Sequence, residues 1–292
     1  MLRPNSSFVR ILLGNKSDMK KLHYYFLTGA LLGIVSLAST VRGDEKADAY
    51  KYAVQGREAA KNKQWDKAIE FFKKAAQADP QDANNHTNLG LAYKEAGKLD
   101  QAAKAFSDAI DAGPNDNTAY LNRGKVYTLQ QKYDKAIQDF DRVIRQHSDN
   151  IQAHRFRAFA YLQRKDYQKA IDDYNVVLKQ KEENEVLDRR AFAYWNLGDY
   201  DKALADYDKI IQSKPDDKEG YLNRSYVYEL KKDFTNGIAD CDKVLSLDPN
   251  NEDAKNRKAR LEVLDKQAHP TPTPTPRPRR TLPPETPKPK KS

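Results

Sequence analysis

Small and large apolar residues recur along this chain at an interval of 34 positions. Aligning Gly56, Gly90 and Gly124 gives that spacing twice, and the register continues to Ala158 and, one residue short, to Ala191 and Ser225. With this small residue as position 8 of each repeat, position 20 reads Ala68, Ala102, Ala136, Ala170, Ala203 and Gly237. Position 24 reads Phe72, Phe106, Phe140, Tyr174, Tyr207 and Cys241. Position 11 is Ala59 followed by Tyr93, Tyr127, Tyr161, Tyr194 and Tyr228, and position 17 is Trp65, Leu99, Tyr133, Tyr167, Tyr200 and Phe234. Each repeat holds two apolar stripes of helical period, such as Tyr133, Ala136, Ile137, Phe140, Val143 and Ile144, and so predicts two amphipathic helices. Small residues at 8 and 20 let the helices approach closely, while the large residues at 11, 17 and 24 fill the adjacent space. Gly97 and Gly198 supply left-handed caps in the turns, and Pro80, Pro114, Pro215 and Pro249 at position 32 stop the second helices.

One hairpin cannot bury both its faces, so neighbouring hairpins must stack. The pattern predicts an all-α fold, an α-solenoid superhelix of six hairpins at 49–82, 83–116, 117–150, 151–183, 184–217 and 218–251. A charged helix at 252–268 follows as a solvating cap, with Ala254, Ala259, Leu261 and Leu264 able to cover the last hairpin.

Residues 49–251 resemble the tetratricopeptide repeat family, departing from its pattern at Ala59, Gly237, Cys241, Ser148 and Glu182. The resemblance implies that the first helices line a concave groove for an extended peptide or a partner helix, with positions 2, 5, 6, 9, 12 and 13 facing it. Repeats one to three then contribute Arg57, Asn88, Lys94, Asn122 and Lys125. Repeats four to six contribute Arg155, Phe156, Phe159, Arg189, Phe192, Trp195, Asn223 and Tyr226. Aromatic and arginine side chains dominate interface energetics, so the groove is expected to centre on repeats four to six. The carboxylate clamp of some family members is not implied, because Ala53 and Thr118 stand where it needs basic groups.

Charge sharpens this picture. The net charge is +9, but residues 1–43 and 269–292 each contribute +5, from six basic residues and one acidic, and residues 44–268 carry −1. The repeats therefore have no bulk attraction for nucleic acid, and no nucleic-acid partner is expected. Lys20 and Lys21 precede the uncharged stretch Leu22–Val41, the pattern of a secretory signal peptide or of an uncleaved membrane anchor. Met19 reads as the true start, and Ser36 with Ala38, or Val41 with Gly43, as the cleavage pair. Either reading places the repeats outside the cytoplasm, periplasmic or secreted, with membrane contact only through an uncleaved N-terminal segment. Residues 269–292 hold nine prolines and repeated Thr-Pro, and read as a disordered tail favouring polyproline II. That tail is a spacer, a contact for an anionic envelope surface, or a docking peptide at Pro284–Pro287.

Catalytic chemistry is not evident. One cysteine, Cys241, excludes an intrachain disulfide and a cysteine zinc site, and the five histidines form no i, i+4 pair. His86 and His154 occupy position 4, where Tyr52, Tyr120 and Tyr221 stand in other repeats, and read as packing substitutes. Paired acids such as Asp172-Asp173 read as solvated charge. The expectation is a protein or peptide scaffold without enzyme activity, cofactor or metal. The alternative is an envelope attachment protein bound through its tail, with the repeats as spacer. Deleting residues 269–292 separates the two: partner capture in a pull-down survives under the first and is lost under the second.

Overall fold

The computed structural model describes residues 45–269, which are helices joined by short turns, with no strand among them. The expected signal or anchor segment at 1–43 and the expected tail from 270 onward lie outside the described residues. Among the described residues, no helix is long and apolar enough to cross a membrane.

The helices are α1 (45–61), α2 (Trp65–Ala78), α3 (Ala83–Glu95), α4 (Leu99–Ala112), α5 (Asn117–Leu129), α6 (Tyr133–Gln146), α7 (Ile151–Gln163) and α8 (Tyr167–Gln180). They continue as α9 (Asn184–Leu197), α10 (Tyr200–Ser213), α11 (Lys218–Lys231), α12 (Phe234–Leu247) and α13 (Glu252–Ala268). The chain divides into two compact bodies after Lys181, at the one-residue-short closing turn of repeat four, where Glu182 replaces the proline. Within each body every helix packs on the next, as the expected all-α solenoid class requires.

The close approach foreseen at positions 8, 20 and 24 is present. Ala68, Ala102, Ala136, Ala170 and Ala203 are fully buried, as are Phe106, Phe140, Tyr207 and Cys241. A Cβ added at Gly124 would lie 2.6 Å from the Phe140 ring, and one at Gly90 2.8 Å from Phe106. Turn geometry repeats as well. The N–H of position 16 donates to the carbonyl of position 11, as in Lys98 to Tyr93 (2.9 Å) and Asp233 to Tyr228 (2.9 Å), the 6→1 bond of a Schellman cap. The left-handed residue is Gly97 or Gly198 in two repeats, but Lys63, Gln131, Lys165 and Lys232 in the other four. Glycine is therefore not the general cap here; the hydrogen bond holds even side-chain-bearing residues at positive φ, at about 1 kcal/mol each. First helices are also capped from the preceding repeat: Asp82, Asp116, Asn150 and Asn251 accept from backbone N–H groups at 2.9 Å.

Two expectations need correction. Asp173 is not solvated surface charge but 4% exposed, and so are its counterparts Asp139 and Asp240. Each belongs to a repeated ion pair between position 7 and position 23: Arg123–Asp139 (2.8 Å), Arg157–Asp173 (2.7 Å), Arg190–Asp206 (2.6 Å) and Arg224–Asp240 (2.6 Å). Three of these arginines reach back to position 25 of the previous repeat, to Ser107, Asp141 and Asp208. Burial works against the charges of Arg123 and Arg157, yet their carboxylate partners hold both guanidiniums above the ordinary arginine range. Burial also pushes the Asp139 and Asp240 carboxyls up, against the pull of their arginines. Desolvation therefore consumes much of what the pairing contributes, and the pairs fix geometry more than they add stability. Repeats one and two manage without them, with Gln55 and Phe71, and Leu89 and Ala105, at the same positions.

The second correction concerns position 4. Its histidines tether as well as pack. His154 Nε2 lies 3.0 Å from the Ser148 carbonyl and its Nδ1 2.7 Å from Asp173, and His86 Nε2 lies 2.9 Å from the Pro80 carbonyl.

On the cap helix α13, Ala254 and Leu261 are fully buried, Leu261 against Phe234 and Cys241. Ala259, expected to cover the last hairpin, is exposed. It stands at the equivalent of position 8, which faces a second helix of its own hairpin, and α13 is followed by none among the described residues.

Two outcomes follow for denaturation. Arg123→Leu strands the buried Asp139 and costs about 3–5 kcal/mol, whereas Arg123→Leu with Asp139→Ala, copying repeat two, recovers most of it. Gly124→Ala lowers the midpoint because overpacking against Phe140 costs about 1–3 kcal/mol, more than the roughly 1 kcal/mol of helix propensity gained. Adding Phe140→Leu should return part of that loss.

Candidate functional site

The faces of the first helices carry the candidate residues, and they fall in both bodies. In the N-terminal body, α7 bears Arg155, Phe156 and Phe159, all half-buried. Phe156 stacks on Phe140 (centroids 6.0 Å apart, planes 23° apart), and Lys125 Nζ lies over its ring at 4.7 Å. Lys125 also donates to Gln152 (3.0 Å), and burial together with the charge of Lys94 holds its ammonium below the usual lysine range. Asn122 donates to its own helix at Thr118 O (2.9 Å). Arg57 and Asn88 line a pocket of about 350 Å³ between α1 and α3, where Asp82 and Asn84 stand opposite Ala49, Tyr50 and Ala53.

The C-terminal body is built differently. Phe192 and Trp195 on α9 are three residues apart and so share one helix face, with ring centroids 5.0 Å apart. Tyr226 on α11 meets Trp195 at another 5.0 Å, and the guanidinium of Arg257 on α13 lies over the Tyr226 ring at 4.9 Å. Two successive first helices thus present a run of three rings, closed from α13 by a cation–π contact worth about 0.5–1 kcal/mol in exposed surroundings. Phe192 is 38% exposed. Polar groups are fixed around the rings. Arg189 bonds Glu185 (2.8 Å), and Asn223 donates to Asp188 (3.1 Å). Burial raises the Asp188 carboxyl above its ordinary range, and the Asn223 bond opposes that rise. Between α11 and α13 lies a pocket of about 400 Å³ lined by Glu219, Asn223, Tyr226, Asp253, Arg257 and Arg260 among others. Glu229 accepts from both Arg257 (3.2 Å) and Arg260 (2.8 Å).

Phe192, Trp195, Asn223 and Tyr226 are therefore brought onto one face, with Arg189 beside them. Arg155, Phe156 and Phe159 belong to the other body. Sequence reasoning passed over Asp188, Glu219, Glu229, Arg257 and Arg260. The signal for the last two was available, since carrying the 34-residue register past 251 puts Arg257 at position 6 and Arg260 at position 9, equivalent to Asn223 and Tyr226. Among the described residues, no group of three or more His, Cys, Asp or Glu could hold a metal ion.

Residues 87–151, 130–185 and 189–252 match a family model described as tetratricopeptide repeat, and residues 56–97 match another described as TPR repeat. The fold is similar to that of YrrB, a TPR protein with an unusual peptide-binding site, with a TM-score of 0.60 and 20% identity over 66% of this chain and 100% of YrrB's. A tetratricopeptide repeat protein from Parabacteroides merdae has a TM-score of 0.60 at 20% identity, covering 76% of this chain and 88% of its own. PilF of Pseudomonas aeruginosa has a TM-score of 0.58 at 16% identity, covering 74% and 99% respectively. At these identities the likeness is one of fold. No curated protein matches the chain significantly.

Proposed function

The chain belongs to the tetratricopeptide repeat family, and from that footing we propose that it is a non-catalytic scaffold that captures a peptide or partner helix on its first-helix faces. Such repeats generally mediate protein–protein interaction. The reading rests above all on the run Phe192–Trp195–Tyr226–Arg257, with ring centroids 5.0 Å apart along α9 and again from α9 to α11. Rings in such a row bury much area at small entropy cost, and the fixed polar groups beside them supply orientation. The known peptide-binding site of YrrB is in keeping with it. The polar face of the N-terminal body, with Arg57, Asn88 and Lys125, would add selectivity more than affinity. We further place the protein in the cell envelope, with the repeats outside the cytoplasm. That part rests on the uncharged stretch Leu22–Val41 behind Lys20 and Lys21.

Replacing Phe192 and Trp195 together by alanine tests the capture face. In affinity purification from the envelope fraction, co-purifying proteins should be lost while circular dichroism retains the helical signal. Undiminished capture by the folded double variant would sink the reading.

A further inference from the structure

The charge of the repeats is divided between the bodies. Residues 45–181 hold 24 basic and 19 acidic residues, a net +5, whereas residues 182–268 hold 15 basic and 20 acidic, a net −5. One row of the C-terminal body changes with it. Position 2 of the first helices is Tyr50, Asn84, Thr118 and Gln152 in the N-terminal body, but Glu185, Glu219 and Asp253, all exposed, in the C-terminal one. Glu185 holds Arg189, while Glu219 and Asp253 line the pocket beside Tyr226. A row of carboxylates therefore accompanies the rings Phe192, Trp195 and Tyr226, with Arg189, Arg257 and Arg260 interspersed and Arg257 and Arg260 both held by Glu229.

That pairing of rows fits one ligand chemistry: an extended, proline-rich strand bearing basic side chains. Proline rings pack flat on aromatic rings, and a polyproline backbone loses little entropy on binding. Guanidinium and ammonium groups pair with the carboxylates alongside. Residues 270–292 of this chain have that composition, with nine prolines, six basic residues and one acidic. Their net +5 matches the −5 of the C-terminal body. They also follow directly from α13, the helix that carries Asp253 and Arg257. In polyproline geometry 23 residues reach roughly 70 Å, at about 3.1 Å each. The path back along α13 from His269 to Arg257 is roughly 18 Å, at about 1.5 Å per residue.

We propose that residues 270–292 are an intramolecular ligand of the acidic, aromatic face of the C-terminal body, and that a partner must displace them to bind. The inference rests on the capture reading of that face and names the chemistry it selects. Tethering supplies the tail at an effective concentration of roughly millimolar order, so individually weak contacts suffice to occupy the face.

Trp195 and Trp65 are the only tryptophans, so Trp65→Phe in the full chain makes Trp195 the sole reporter on the face. Acrylamide quenching of its fluorescence should be low at low salt. It should rise when Arg277, Arg279 and Arg280 are all replaced by glutamate, and in the unaltered tail when about 0.5 M sodium chloride screens the charges. A synthetic peptide of residues 270–292 added to the triple variant should restore the shielding. Quenching indifferent to the tail charges, to salt and to the peptide overturns the proposal. Shielding that grows with protein concentration also overturns it, because a second copy then supplies the tail. Failure of the parent reading looks different: capture would survive Phe192→Ala with Trp195→Ala, whatever the tail does.

Discussion

The distance at which the two helices of one hairpin can pack is set at a single contact, between position 8 and position 24. A glycine Cα against a phenyl ring allows that distance in repeats one to three, where no Cβ fits without moving the ring. Repeats four and five carry alanine and tyrosine at these positions, all fully buried, and repeat six sets Ser225 against Cys241 at 3.4 Å. Everything further out depends on this contact. It aligns the first helices side by side within each body, and so puts positions 2, 6 and 9 of successive repeats into rows. The rings of Phe192 and Tyr226 share a surface because Ala191 and Ser225, their immediate neighbours in sequence, are buried against second helices.

The legible part of the fold was the part governed by that packing. Few residue types satisfy a close helix approach, so glycine, alanine and the aromatics recur and betray the period. Charged residues escaped because their usual place is the solvated face, and Asp173 next to Asp172 looks like any surface pair. What distinguished them was register: Arg123, Arg157, Arg190 and Arg224 recur at one position, as do their carboxylates 16 residues later. The left-handed caps at Lys63, Gln131, Lys165 and Lys232 were hidden for another reason, since the hydrogen bond that stabilises them involves only backbone atoms. On the candidate face, Phe192, Trp195 and Tyr226 were named through the groove positions that the family resemblance implies, together with Phe156 and Phe159, which lie in the other body. Arg257 was not, because α13 was read as an end of the array rather than as half of another repeat.

The two bodies use the same scaffold for different surfaces. Around Lys125 the first helices gather positive charge and amides, and burial makes that charge costly. Around Trp195 they gather rings and carboxylates. A solenoid permits this because its core positions and its groove positions are separate sets of residues, so a face can change composition without disturbing the stack.

The backward reach of the position 7 arginines has a consequence for the order of the repeats. Arg157 needs a carboxylate at position 25 of the preceding hairpin, which Asp141 provides, and Arg224 finds Asp208 there. Lys258 on α13 continues the habit with Asp242 at 2.6 Å. Repeat one offers Lys73 at that position instead. Transplanting repeat four behind repeat one would set the Arg157 guanidinium against the Lys73 ammonium. The hairpins are alike in shape and unlike in valence, so the array resists shuffling of its own modules, and its sequence of repeats is fixed chemically as well as genetically.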